Sequence, residues 1–84
     1  MGKIKKSNSV DWVTIVSQQL KELRKGAGYT SYEDFALQHE FDRKQYWRIE
    51  NGANITLKTL VKILEKHNKD LPSFFKEIEL QKKK

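Results

Sequence analysis

DRKQYWRIENG, residues 42–52, decides how the chain is read. Asp42 is a good helix N-cap and Asn51-Gly52 suits a left-handed stop, so the stretch predicts a helix over 42–51. On a wheel of about 100° per residue with Asp42 at zero, Tyr46 and Ile49 fall near about 40° and 340° and form a core side. Lys44, Arg48, Asn51 and Trp47 fall at about 200°, 240°, 180° and 140°, with Arg43 on the flank at about 100°. One side is apolar; the other gathers basic, amide and aromatic groups. Such a face suits DNA for definite reasons. A helix fits the major groove, Arg or Lys donates to guanine O6 and N7, Asn or Ser at helix ends binds phosphate, and the Trp47 ring can press on a thymine methyl. The same residues also read as a solvated basic surface with its tryptophan taken up in a neighbouring helix or dimer contact.

The flanking sequence repeats the helical period. Val13, Val16, Leu20 and Leu23 recur at three- and four-residue steps, widened by Trp12 and Ile15, and predict an amphipathic helix of about four turns capped by Asp11 or Ser9. Gly26 and Gly28 stop it. Ser31 starts a short helix, with Asp34 three residues on and Phe35-Ala36 as apolar anchors; Leu37 projects away from them. Thr56 caps a fourth helix whose apolar face is Leu57, Leu60, Val61 and Leu64, ending near Asn68. Pro72 suits the first turn of a fifth, in which Phe74, Phe75 and Ile78 either close the core or meet a second copy. No alternating two-residue pattern is long enough for a strand. The chain therefore reads as all-α, a compact five-helix bundle over residues 9–79 between basic tails at 1–8 and 80–84.

Composition bounds the rest. At 84 residues this is one small domain, which buries only roughly 60% of its unfolded surface. With no cysteine there is no disulfide and no thiolate metal site, and a reducing, cytoplasmic setting is the expectation. No apolar run approaches the roughly 18 residues of a membrane span, and MGKIKKSNSV lacks the apolar core of a secretory signal. Net charge is +6, but Lys3, Lys5, Lys6, Lys82, Lys83 and Lys84 supply it, and the remaining basic residues match the 11 acidic ones. Distribution says more: residues 28–40 hold Glu33, Asp34 and Glu40 and no Lys or Arg, whereas 41–62 hold Arg43, Lys44, Arg48, Lys58 and Lys62 against Asp42 and Glu50. Enzyme chemistry is not expected, since there is no cysteine nucleophile, phosphate-cradling glycine motif, carboxylate pair on a cleft or metal-ligand spacing, and no cofactor or small-molecule substrate is implied.

Over roughly residues 15–76 the chain, with LKELRKGAGYTSYEDFALQHEFDRKQYWRIENGANITLKTLVKILEKHNKDLPSFF as its centre, resembles the phage repressor and Cro-like (XRE) helix-turn-helix family. Leu23-Arg24 with Gly28, Phe35-Ala36, Phe41, Ile49-Glu50 with Gly52, Leu57 with Leu60, and Leu71 with Phe74-Phe75 match the family pattern in order. The resemblance implies a lambda-repressor-like DNA-binding domain in which 31–40 supports and 42–51 is the recognition helix. It implies base reading by Arg43, Lys44 and Arg48 with Trp47 beside them, and phosphate contacts from Ser31, Tyr32, Asn51 and Asn54. Lys58 is expected to join the phosphate contacts. Arg24 and Glu50 match a structural ion pair. Tyr29 and Tyr32 read as wedge residues, and His39 and His67, where the family has leucine, as core-lining. The chain departs from the pattern in having one residue more between Gly28 and Ala36, and in placing Glu40 at a turn position where glycine is common; Glu40 and Asp42 also bring negative charge close to the expected phosphates.

The leading expectation is a sequence-specific transcriptional regulator that binds double-stranded DNA as a homodimer. The alternative is an antitoxin-like or other protein-interaction module with Trp47 as its interface anchor, since Trp and Arg are enriched at binding hot spots.

Overall fold

The computed structural model describes residues 11–82, which form α1 (Trp12–Gly26), α2 (Tyr32–Gln38), α3 (Arg43–Glu50), α4 (Leu57–Lys66) and α5 (Leu71–Lys82). No strand occurs among the described residues. Residues 1–10, including Ser9 and the N-terminal tail, lie outside them, as do Lys83 and Lys84.

Each helix begins on a short polar side chain that takes the backbone N–H three residues on. Asp11 accepts from Thr14 at 3.2 Å, Ser31 from Asp34 at 3.0 Å, Asp42 from Gln45 at 2.9 Å, Thr56 from Thr59 at 3.1 Å and Asp70 from Ser73 at 3.0 Å. A bond of this kind contributes about 1 kcal/mol by giving an otherwise orphaned donor its acceptor. The ends of α1 to α4 are equally regular. In each, the second residue past the C-cap donates back to the carbonyl five positions earlier: Tyr29 to Arg24, Phe41 to Ala36, Ala53 to Arg48 and Lys69 to Leu64. The residue between is left-handed, at Gly28 (φ 97°), Glu40 (φ 60°), Gly52 (φ 98°) and Asn68 (φ 56°). This is the Schellman stop, and it explains why the two glycines end their helices. Glu40 shows how the corner between α2 and α3 turns without a glycine: the side chain accepts the left-handed region, at a cost of about 1 kcal/mol.

The core is made by Val16 and Leu20 of α1, Phe35 and Ala36 of α2, Tyr46 and Ile49 of α3, Leu60, Ile63 and Leu64 of α4, and Phe74 and Ile78 of α5. α3 packs against both α1 and α2, and α5 closes against α4. Three details differ from the sequence reading. α5 begins one residue before Pro72, because Asp70 supplies the cap and proline then occupies a first-turn position whose N–H has no intrahelical partner to lose. It runs on to Lys82, through the boundary set at 79. In α4 the inward residue is Ile63, while Leu57, in the first turn, is 63% exposed. Phe74 and Ile78 are spent on the chain's own core, which leaves Phe75, edge-on to Trp12, and Leu80 exposed on α5. No helix among the described residues is long and apolar enough to cross a membrane.

Both histidines lie against Phe35. His67 stacks on its ring at 5.1 Å with planes 5° apart, and His39 approaches at 4.5 Å while sharing a 3.2 Å hydrogen bond between its Nε2 and the Tyr29 hydroxyl. His67 Nε2 is buried with no hydrogen-bond partner among the described residues. Burial lowers the pKa of both, helped by Lys66 for His39 and by His39 and Lys69 for His67. The fold therefore favours neutral rings. Their contribution to stability is complete above the unfolded value of about 6.5 and is lost as pH falls through the lowered folded values. Urea midpoints are expected to decline between about pH 7 and 5.5, and His67→Leu to flatten that decline; a wild-type midpoint constant across the window contradicts the assignment.

Candidate nucleic-acid interface

The geometry of α3 follows from its two faces. Tyr46, Ile49 and Glu50 are buried, whereas Arg43, Lys44, Trp47 and Arg48 are all exposed, so the outward face presents three cations around a half-exposed indole. No element of the described chain covers that face. The cations are held apart from the core by the helix itself, so their charge stays solvated at little cost.

What fixes the orientation of α3 is polar and buried. Arg24 Nε donates to Glu50 Oε2 at 2.7 Å and Arg24 Nη2 to Glu50 Oε1 at 3.0 Å, in a two-pronged pair whose side chains are 5% and 2% exposed. Arg24 Nη1 donates to the Tyr29 carbonyl at 2.8 Å, so one guanidinium joins the end of α1, the segment before α2 and the end of α3. The Glu50 carboxylate holds the guanidinium pKa above its ordinary value, against the opposing effect of burial. The Tyr46 hydroxyl, also buried, has no hydrogen-bond partner among the described residues. Burial, followed by the adjacent Glu50, pushes its pKa upward, so it remains a neutral phenol.

Arg43, Lys44, Trp47 and Arg48 line one open cleft of about 400 Å³ together with Tyr32 and Glu33 of α2. The α3 residues singled out in the sequence thus converge on one cleft, and Tyr32 joins them. Glu33 is the member that sequence reading missed. Its carboxylate stands 3.6 Å from Arg43 Nη1, with both side chains more than half exposed. The signal for it in the sequence is thin: an acidic residue in the first turn of α2 reads first as a helix-end charge. A second opening, about 230 Å³, lies on the other flank of α3 between Gln45 and Lys62. Gln45, exposed at the start of the helix, lines this second opening and not the cleft of Arg43, Lys44, Trp47 and Arg48.

The residues expected to grip phosphate are more scattered. Ser31 spends one of its two hydroxyl lone pairs on Asp34 N–H, leaving the hydroxyl proton to donate. Asn51 is more committed: its Nδ2 donates to the Trp47 carbonyl at 2.8 Å and helps end α3. Asn54 is exposed in the α3–α4 connection and Lys58 in the first turn of α4. Among the described residues no group of His, Cys, Asp or Glu could hold a metal ion. Comparison with protein-family models, curated proteins and solved structures finds no match for the chain.

Proposed function

We propose that the protein is a sequence-specific DNA-binding regulator of transcription, acting in the cytoplasm as a homodimer that inserts α3 into the major groove. The observation that carries this reading is the convergence of Arg43, Lys44, Trp47 and Arg48 on one exposed face of a helix whose opposite face is locked by the Arg24–Glu50 pair. A helix of about 10–12 Å diameter fits a groove about 12 Å wide, and arginine and lysine match the acceptor pair on guanine. The XRE-like order of residues and the five capped helices support the same reading. Ser31, Tyr32, Asn51, Asn54 and Lys58 set register on phosphates, and two half-sites one turn apart give a dimer the affinity that one small module lacks.

Selection of bound duplexes from a random library, followed by titration of variants, tests it. Arg48→Ala is expected to weaken the selected site by about 1–3 kcal/mol and to relax base choice at one position. Lys58→Ala, as a phosphate contact, is expected to weaken all duplexes alike and to reduce the salt slope by about one unit. Equal losses for Arg48→Ala on selected and scrambled duplexes overturn the base-reading role. Trp47, 47% exposed, favours a second reading in which an antitoxin-like interaction module anchors a protein partner through this face. Absence of any duplex-induced change in Trp47 fluorescence at low salt, together with a stable protein complex abolished by Trp47→Ala, selects that alternative.

A further inference from the structure

Among the described residues Glu33 is the only carboxylate lining the α2/α3 cleft, on a surface otherwise composed of Arg43, Lys44, Arg48 and aromatic rings. A negative charge there repels phosphate, so on a surface built for unspecific attraction it is a misfit. Its geometry gives it a use. Arg43 is the first residue of α3 and Glu33 the second of α2, so the two helix starts bring the carboxylate to 3.6 Å from Arg43 Nη1. The contact is made through Nη1, and no hydrogen bond or ion pair to another described residue engages Nη2 and Nε, the two parallel donors that match guanine N7 and O6.

We propose that Glu33 is a specificity-determining positioning residue: it holds Arg43 toward a guanine edge and suppresses its use as a general phosphate clamp. This rests on the DNA-binding reading of α3 and extends it by assigning guanine to the base met by the start of the helix. Charge and geometry act together. The carboxylate neutralises part of the field that draws Arg43 to the backbone, and it shortens the search of a long, exposed side chain for one productive rotamer.

The test compares wild-type chain, Glu33→Gln, Arg43→Ala and the double variant on the duplex selected by the wild type, on single-base variants of it and on a scrambled duplex. Glu33→Gln is expected to raise affinity for the scrambled duplex about threefold, to lower the preference for the selected site about three- to tenfold, and to relax preference only at the guanine whose replacement Arg43→Ala also tolerates. In the double variant the effect of Glu33→Gln on that position disappears. Both residues are exposed, and equal urea midpoints for all four proteins exclude a folding origin. Unchanged base preference in Glu33→Gln, or relaxation at a position Arg43 does not read, overturns the proposal while leaving DNA recognition by α3 intact. Failure of the wild type to bind any duplex overturns both.

Discussion

Glu50→Ala is expected to be among the most destabilising single substitutions in this chain, unfolding it at 25 °C if the wild type lies at the low end of small-domain stability. The expected loss is about 3–5 kcal/mol, because the substitution strands the Arg24 guanidinium in the interior without its counter-charge. A chain of 84 residues has a total stability of about 4–12 kcal/mol at 0.05–0.15 kcal/mol per residue, so one residue removes about a quarter of it or more. The loss is expected to come from isolation of a charge, and the partner experiment separates this from any intrinsic worth of the pair. Replacing both residues with apolar ones of similar reach, Arg24→Met with Glu50→Leu, is expected to recover most of the stability, since neither charge then remains to be desolvated. The orphaned Tyr29 carbonyl, which loses the Arg24 Nη1 bond, sets the residual deficit at about 1–3 kcal/mol. Urea denaturation followed by tryptophan fluorescence measures all three proteins; a single variant within about 1 kcal/mol of wild type contradicts the burial of this pair.

Phe35→Ala is expected to cost a comparable amount, about 3–5 kcal/mol, by a different route. Phe35 is fully buried, and its ring is met by Tyr29 at 5.2 Å, His39 at 4.5 Å, Phe41 at 5.9 Å, Tyr46 at 5.0 Å and His67 at 5.1 Å. Those neighbours come from the approach to α2, its end, the α2–α3 turn, α3 and the end of α4, so they cannot all collapse into the space without moving α2. Leu37, two residues on and 80% exposed, is the control: Leu37→Ala is expected to stay within about 0.5 kcal/mol of wild type. Phe35→Leu should fall between, because it keeps apolar volume while losing the ring contacts. The same melts read the result, and equal midpoints for Phe35→Ala and Leu37→Ala deny Phe35 its central place.

The helix boundaries were legible because their causes are local. Asp42 caps α3 through a neighbour three residues away, and Gly52 stops it through its own backbone freedom, so a few letters contain the whole interaction. The face of α3 was legible for a similar reason: periodicity alone separates Tyr46 and Ile49 from Lys44 and Arg48. Errors appear where a third body intervenes. Leu57 satisfies the apolar period of α4 as well as Leu60 does, but lies in its first turn and meets water, while Ile63 is wholly buried. Ser17 and Gln19, polar letters on α1, are buried. The approach of Glu33 to Arg43 depends on the angle between two helices, which no wheel drawn on either one contains. Arg24 with Glu50, 26 residues apart, entered through family likeness, since their meeting needs the assembled fold.

The self-contained punctuation of α1 to α4 bears on how the molecule comes together. With starts and stops closed by neighbours in the chain, each helix can form transiently before any sequence-distant pairing, and docking through Phe35 and Leu20 is what makes rods this short persist. Chains of this topology cross their barrier in microseconds to milliseconds. A newly made copy thus spends little time with its oily seams open to other molecules.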